Sequence, residues 1–335
     1  MKQKTLLDEE NRLELLSQLG DPLEILNRVI KWEKFRSVLN QGSRKEDTGK
    51  GGRPSYDVVM MFKILVLQRL YNLSDDQTEY QINDRMSFMR FLGINLCEKV
   101  PDAKTIWKFK NDLAETKTVN TLFCMFDEHF EKEGLISHKG TIVDAPRQRN
   151  SRDENKKIKN GVIPEEWEKP ENKSKLAQKD TDADWTKKNG ERHFGYKDHV
   201  KCDADSKLIT NYSVTSASVH DSQRCLVFIG QEDEVLYADS AYSGKPIALA
   251  LPENCKNQIC EKGYRNSPLT SEQKMNNRRK SRIRCRIEQI FGFMTGAMHG
   301  ITIRSIGITR AWMNIGITNL VYNFCRYSYL KRASA

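Results

Sequence analysis

Before Gly134, apolar residues recur every three or four positions; after it, they come in runs of three or four closed off by turn residues. A period near 3.6 builds helices and short apolar runs between turns build strands, so the chain reads as α+β, with a helical part over 1–135 and a mixed α/β part over 136–335. Within the first part, Asp21-Pro22 followed by Glu24 is a helix start: an N-cap, a proline at the first helical position and an acid in the first turn. Ile25, Val29, Trp32, Phe35 and Leu39 then mark one amphipathic stripe. Gln41 to Gly52 is a polar, glycine-containing linker. A strongly apolar helix around Val58 to Leu70 follows, then Ser74 with Gln77, the pattern of a capping box. Gly93 ends a short helix, Asp102 caps one bearing Trp107 and Phe109, and a last runs about Val119 to Glu133. Six helices are expected, some arranged as a helix-turn-helix.

In the second part, Thr141 to Asp144 is a compact strand ending in an acid. A charged insert occupies about 147–190, with little periodicity. Phe194 to Asp203 and Leu208 to Ala217 form a hairpin about the turn at 203–207. A helix over Ser222 to Gly230, a strand over Glu234 to Asp239, a short helix over Ile247 to Leu251 and a strand over Gln258 to Glu261 come next. Ser271 to Met298 reads as one long basic helix whose Ile283, Ile287, Ile290, Met294 and Met298 face a core, and a helix over about Thr309 to Leu330 closes the chain.

The net charge of +10 favours a polyanionic partner, nucleic acid first. No apolar run is long enough for a membrane span and the N-terminus lacks a signal-peptide pattern, which points to a cytoplasmic, nucleoid-associated protein with no membrane partner. The eight cysteines form no CxxC pair and read as small buried hydrophobes, Cys255 and Cys260 included.

Asp144 and Asp239 each end an apolar run, and an acid at the end of a core strand emerges at the sheet rim, where several can converge. Each could equally cap a turn. Glu288 follows a stretch, Lys274 to Arg286, that holds seven Lys or Arg in thirteen residues and no acid. It could pair with Arg284 one turn away, or reach the sheet rim while the isoleucines pack. Three carboxylates suit two Mg²⁺ ions about 4 Å apart, serving an in-line phosphoryl displacement. Arg147, Arg149 and Arg152, extended by Lys156, Lys157 and Lys159, lie just after Asp144 and are expected on phosphate. His193, Lys197 and His199 alternate on one strand face expected in solvent, His220 either caps a helix or supports the acids, and Trp185 is expected to anchor its segment.

The motifs GRPSYDVVMMFKILVLQRLYNLSDDQTEYQINDRMSFMRFLGI, PDAKTIWKFKNDL, GTIVDA, HFGYKDHVKCDADSKLITNYSVTSASVHDSQ, YADSAYSG and RIRCRIEQIFGFM occur in order, and together they resemble a bacterial insertion-sequence transposase of the DDE type, insertion-sequence family five. The resemblance implies an N-terminal domain that binds terminal inverted repeats and an RNase H-like catalytic core. It implies Asp144, Asp239 and Glu288 as catalytic acids and ligands of two Mg²⁺ or Mn²⁺ ions, cleavage at the element's ends, and joining of the 3′-OH to target DNA by a dimer or larger complex. A catalytically inactive DNA-binding regulator and an RNase H-like structure-specific nuclease are the alternatives. The family's third motif carries a tyrosine and a lysine where this sequence has Ser281 and Thr295, positions associated with DNA contact; Arg284 is retained, and Lys280, Arg282 and Arg286 add positive charge beside it.

Overall fold

Capping chemistry sets the helix starts that the sequence announces. The computed structural model describes residues 8–43, 55–150, 162–188, 190–300 and 302–333. Eight α-helices precede Gly134 among these residues, rather than six: α1 Asp8–Gln18, α2 Pro22–Val29, α3 Arg36–Gly42, α4 Val58–Leu70, α5 Asp75–Asp84, α6 Met86–Leu92, α7 Ala103–Glu115 and α8 Thr118–Lys132. The Asp21 carboxylate accepts from the Leu23 N–H, Ser74 and Gln77 close a reciprocal capping box, and Asp102 accepts from the Thr105 N–H. Gly93 ends α6 with φ +74°, a left-handed conformation that glycine adopts without steric cost.

The stripe expected from Ile25 to Leu39 is not one helix. The chain turns extended at Ile30, a 3-10 turn covers Trp32–Phe35, and the buried set becomes Leu23, Leu26, Ile30, Trp32, Phe35 and Leu39, leaving Ile25 and Val29 half-buried. From residue 44 the polar linker lies outside the described residues.

Beyond Gly134 the elements are β1 Thr141–Asp144, β2 Arg147–Asn150, α9 Glu165–Glu168, α10 Lys173–Leu176, β3 Asp184–Lys188, β4 Glu191–Asp203, β5 Ile209–Ser216, α11 Ser222–Cys225, β6 Val235–Ala238, α12 Lys245–Ala250, β7 Lys256–Asn257, α13 Ser271–Arg284, α14 Arg286–Gly296, β8 Thr302–Ile303 and α15 Ile308–Ala333. All eight strands join one mixed sheet, in which β4 and β5 run antiparallel to β1 in the order β5-β4-β1, and β6 and β7 extend the other edge of β1 in parallel. The α+β organisation expected from the sequence, helices first and a mixed sheet after, is the observed one.

Four strands and one helix depart from expectation: β8 is not among the expected strands, the one expected over Gln258 to Glu261 is instead the two-residue β7, and β2, β3 and the long basic helix differ as follows. β2 continues the β1 register along β4 after Ala145-Pro146, where proline has no N–H to give the ladder; its carbonyl accepts from the Asp198 N–H at 3.0 Å instead. The expected charged insert therefore begins as strand and also ends as strand, since β3 pairs with β4. Asp180, which accepts from the Tyr196 hydroxyl at 2.8 Å and from the backbone of Ala183 and Gly307, ties the segment to the sheet. The long basic helix is also divided, into α13 and α14, at Cys285. There the Glu288 N–H reaches the Cys285 carbonyl, while Arg286 donates to the Ala204 carbonyl at 2.9 Å.

The described residues fall into two compact units. One holds those up to Leu122 together with those from Phe324 on; the other is Phe123–Asn323. A single cut at 135/136 does not describe this division, which falls within α8 and returns the end of α15 to the first unit. The reason is aromatic packing: Phe324 lies edge-on to Trp32 at 5.4 Å and to Phe62 at 6.3 Å. Around that cluster α4 is buried along most of its length, through Phe62, Ile64, Leu65, Val66 and Leu67. The core of the second unit beneath β1 and β6 holds Val143, Cys225, Phe228, Leu236, Ala238, Tyr242 and Ile247.

Candidate active site

The parallel pairing of β1 with β6 places Val143 opposite Ala238, so the next residue of each strand, Asp144 and Asp239, stands at the same end of the sheet. Each acid also holds its own turn. An Asp144 oxygen accepts from the Ala145 N–H and an Asp239 oxygen from the Ala241 N–H, both at 2.8 Å. Turn-capping and convergence at the rim thus coexist in both acids.

Glu288, in the first turn of α14, is exposed, and its Oε1 accepts from the Arg284 guanidinium at 2.8 Å. The other arm of that guanidinium lies 3.7 Å from Asp144 Oδ2. Burial opposes the charge on Arg284, but the Glu288 hydrogen bond and the fields of Asp144, Glu288 and Asp239 outweigh it and hold the side chain more firmly protonated than a free arginine. One cation therefore serves three carboxylates that are far apart in sequence.

Tyr242, three residues after Asp239 on the 3-10 turn Ser240–Tyr242, is fully buried among Val143, Cys225 and Ala238. Among the described residues its hydroxyl has no hydrogen-bond partner. Burial, then the fields of Asp144, Asp221 and Asp239, push the phenol well above its ordinary value. Asp221 is held by Lys197 at 2.8 Å, and Lys197 also donates to the Val219 carbonyl at 2.6 Å. Tyr242 and Asp221 were not among the expected site residues. Their signal is position alone: one sits inside YADSAYSG, the other directly after His220.

The remaining expected site residues separate. Lys280 donates to the Ile259 carbonyl at 2.9 Å, Arg286 is engaged by Ala204 and by Asp205 at 2.9 Å, and Arg282 is exposed. Arg147 is half-buried on β2, opposite Lys197. The backbone of Arg149 pairs in β2, its side chain lies outside the described residues, and so do Arg152, Lys156, Lys157 and Lys159.

The strand face expected in solvent is largely buried: Lys197 and His199 are covered, His199 bonds Thr215 at 2.8 Å, and only His193 remains partly open. Burial, reinforced by Lys197 and Arg224 and opposed by Asp221, pulls the His199 imidazole down to about 4, so it is neutral. His220 bonds the Ser222 hydroxyl at 2.8 Å, the capping alternative. Trp185 packs on Phe194 at 5.3 Å, the anchor expected of it. Cys255 and Cys260 are buried, and Cys260 lies 3.7 Å from the Ser281 hydroxyl.

Residues 10–112 match the family described as Transposase domain (DUF772), and residues 132–324 match the family described as Transposase DDE domain. The second match alone spans more than half of the sequence. The chain belongs to the DDE transposase family. Among solved structures, the piggyBac transposase synaptic complex with hairpin DNA, determined by cryo-EM, is similar at 11% identity and a TM-score of 0.42, over 93% of this chain and 73% of that one; a likeness this slight adds nothing to the family assignment. A DDE transposase is a metal-dependent enzyme that cuts DNA and transfers a strand.

The rim fits such a metal. Its donors are carboxylate oxygens, which hard divalent cations prefer, Arg284 already meets a demand for positive charge between Asp144 and Glu288, and the Tyr242 hydroxyl is an unused donor behind them. Among the described residues, a closer set of ligating atoms, mutually within 4.8 Å, is formed by Glu131, His138 and Glu232. It precedes β1 and β6 and so lies at the opposite end of those strands from Asp144 and Asp239. No helix among the described residues is long and apolar enough to cross a membrane.

Proposed function

We propose that this chain is the transposase of an insertion sequence of the family-five type, with Asp144, Asp239 and Glu288 as its catalytic acids and as ligands of two Mg²⁺ or Mn²⁺ ions. The observation that carries the reading is the position of Arg284, 2.8 Å from Glu288, 3.7 Å from Asp144 and within the field of Asp239. Divalent cations at this rim supply activation of the attacking oxygen and stabilisation of the leaving one. The chain's own part is to hold two acids rigidly at adjacent strand ends, each fixed by a backbone N–H, and to bring the third from a helix. Exposed Arg282 faces phosphate and Arg284 adds positive charge beside the acids, while Arg147, Arg149, Arg152, Lys280 and Arg286 are assigned to DNA on the sequence and its resemblance alone. The helical N-terminal part binds the terminal inverted repeats, the part that follows it is the RNase H-like catalytic core, a dimer or larger complex holds both ends on target DNA, and the protein works in the cytoplasm at the nucleoid.

The test is cleavage and joining of a labelled duplex carrying the element's end, with Mg²⁺ or with EDTA. Wild type is expected to cut and join only with the metal. Asp144→Asn, Asp239→Asn and Glu288→Gln are each expected to bind the duplex and fail to cut. Retained cleavage in one variant removes that residue from the site. Binding without cutting by wild type would establish the inactive regulator, and cutting without joining the nuclease.

A further inference from the structure

The first unit contains cations of two kinds. Lys63 donates to Asn27 and to the Phe91 carbonyl and sits over the Trp32 ring; Arg90 pairs with Asp21; Arg36 pairs with Glu33 and Asp57; Lys110 pairs with Asp75. These groups are used in holding helices together. On α7 the pattern differs. Ile106, Phe109 and Leu113 are buried, while Lys104, Trp107 and Lys108 are exposed, Trp107 to 53%. Their spacing of three and four residues puts them on one face. Among the described residues, none of the three side chains makes a hydrogen bond, an ion pair or a ring contact.

A tryptophan left half in water has forgone much of its burial, and beside it stand two exposed lysines, of which Lys104 also lies in the field of Asp102. Both features are favourable against a duplex: the ammonium groups replace counterions on phosphate, and the indole packs on sugar and base edges. The start of the helix is held firmly enough to present that face, because Asp102 caps it and the Ala103 N–H is bound by Glu79 of α5 at 2.8 Å. Charge complementarity therefore selects duplex DNA as the occupant.

We propose that the Lys104–Trp107–Lys108 face of α7 is the surface by which the N-terminal unit docks on duplex DNA at the element's ends. This rests on the reading of the chain as an end-binding transposase and assigns that binding to one helix. Lys104 and Lys108 contact phosphate; Trp107 distinguishes the repeat from other sequence.

The experiment compares the full chain with Lys104→Ala/Lys108→Ala and with Trp107→Ala, measuring binding to a fluorescent duplex of the element's end and to a random duplex over a range of salt, in EDTA. All three substituted residues are exposed, and unchanged thermal melting verifies folding. The lysine variant is expected to bind both duplexes about tenfold more weakly, with a salt slope shallower by about 2. The tryptophan variant is expected to lose about fivefold on the end duplex alone, with the slope unchanged. Wild-type affinity and slope in both variants overturn the proposal while end binding by wild type stands. If wild type does not discriminate the two duplexes yet the lysine variant weakens both, α7 keeps its DNA face and the repeat-binding reading falls. If wild type binds neither, both fall.

Discussion

Two acids on the same sheet, Asp144 at the end of β1 and Asp198 inside β4, meet the cost of leaving water in opposite ways. Asp198 is completely buried against α15, where Asn319 donates to one of its oxygens at 3.1 Å; its second oxygen and the Asn319 carbonyl oxygen have no partner. Protonation removes a charge that this site leaves uncompensated, and burial pushes the Asp198 carboxyl up to about 7, against the Asn319 hydrogen bond. Asp144 stays at a half-open rim and is balanced from outside by Arg284. The interior acid holds its proton more tightly than a free carboxyl. The rim acid is met by a cation at an open edge of the sheet.

The largest expected effect separates the two directly. Asp144→Asn should reduce metal-dependent cleavage by more than about a hundredfold, because a charged ligand at the reacting centre is lost, whereas Asp198→Asn should leave it within about threefold. Comparable losses in both variants, measured on a labelled end duplex, would abolish the distinction. Next comes Arg284→Ala, which leaves Asp144, Glu288 and Asp239 without their shared cation. Discounted for the exposed side of the site, the loss is about 2 kcal/mol, or a fall of roughly 4–8 °C in melting temperature in EDTA. Mg²⁺ should recover much of it, giving the variant a larger metal-induced rise than wild type. An unchanged melting temperature in EDTA would mean that the acids do not need the arginine.

The contrast was only half legible in the sequence. Local signals are plain where a residue acts on its own backbone: the side chains of Asp21, Ser74 with Gln77, and Asp102, and the left-handed Gly93, each set a helix end where their chemistry dictates. Thr141 to Asp144 and the hairpin are legible because short apolar runs closed by turn residues mark them. β2 and β3 were not, since RQRN and DWTKK are polar and become strands only by pairing with the extended N-terminal half of β4, a long-range fact. The same extension explains why Lys197 and His199 are covered rather than solvated. Arg284 was legible as the one-turn partner of Glu288, which it is, but helical spacing carries no information that Asp144 lies on its other side.

A smaller effect is the pH dependence of stability. The folded value of Asp198 is raised from 3.8 to about 7, so between those values the folded protein binds more protons than the unfolded one, and stability falls as pH rises through that window. Asp127, raised to about 7 by burial and then Glu131, contributes with the same sign. His199, lowered from 6.5 to about 4, has the opposite sign and offsets part of the fall below 6.5. Asp198→Asn keeps an oxygen that can accept from Asn319 and has no titratable proton. The variant should match wild type near pH 4 and exceed it increasingly toward pH 8, read by denaturant midpoints. A difference that does not vary with pH would show that Asp198 is ionised in the folded chain.

The smallest effect addresses the point where the two strategies meet. Tyr242 is as buried as Asp198, yet its hydroxyl has been given no partner, although it faces the fields of Asp144 and Asp239. Removing an unsatisfied buried hydroxyl without changing the ring should stabilise, so Tyr242→Phe is expected to raise stability in EDTA by about 1 kcal/mol. With Mg²⁺ the gain should shrink if the loaded acids take up the proton the hydroxyl offers, because wild type then recovers the missing hydrogen bond and the phenylalanine cannot. A loss of stability in EDTA would mean that the hydroxyl is already bonded in the metal-free protein and has no free donor to offer the loaded acids.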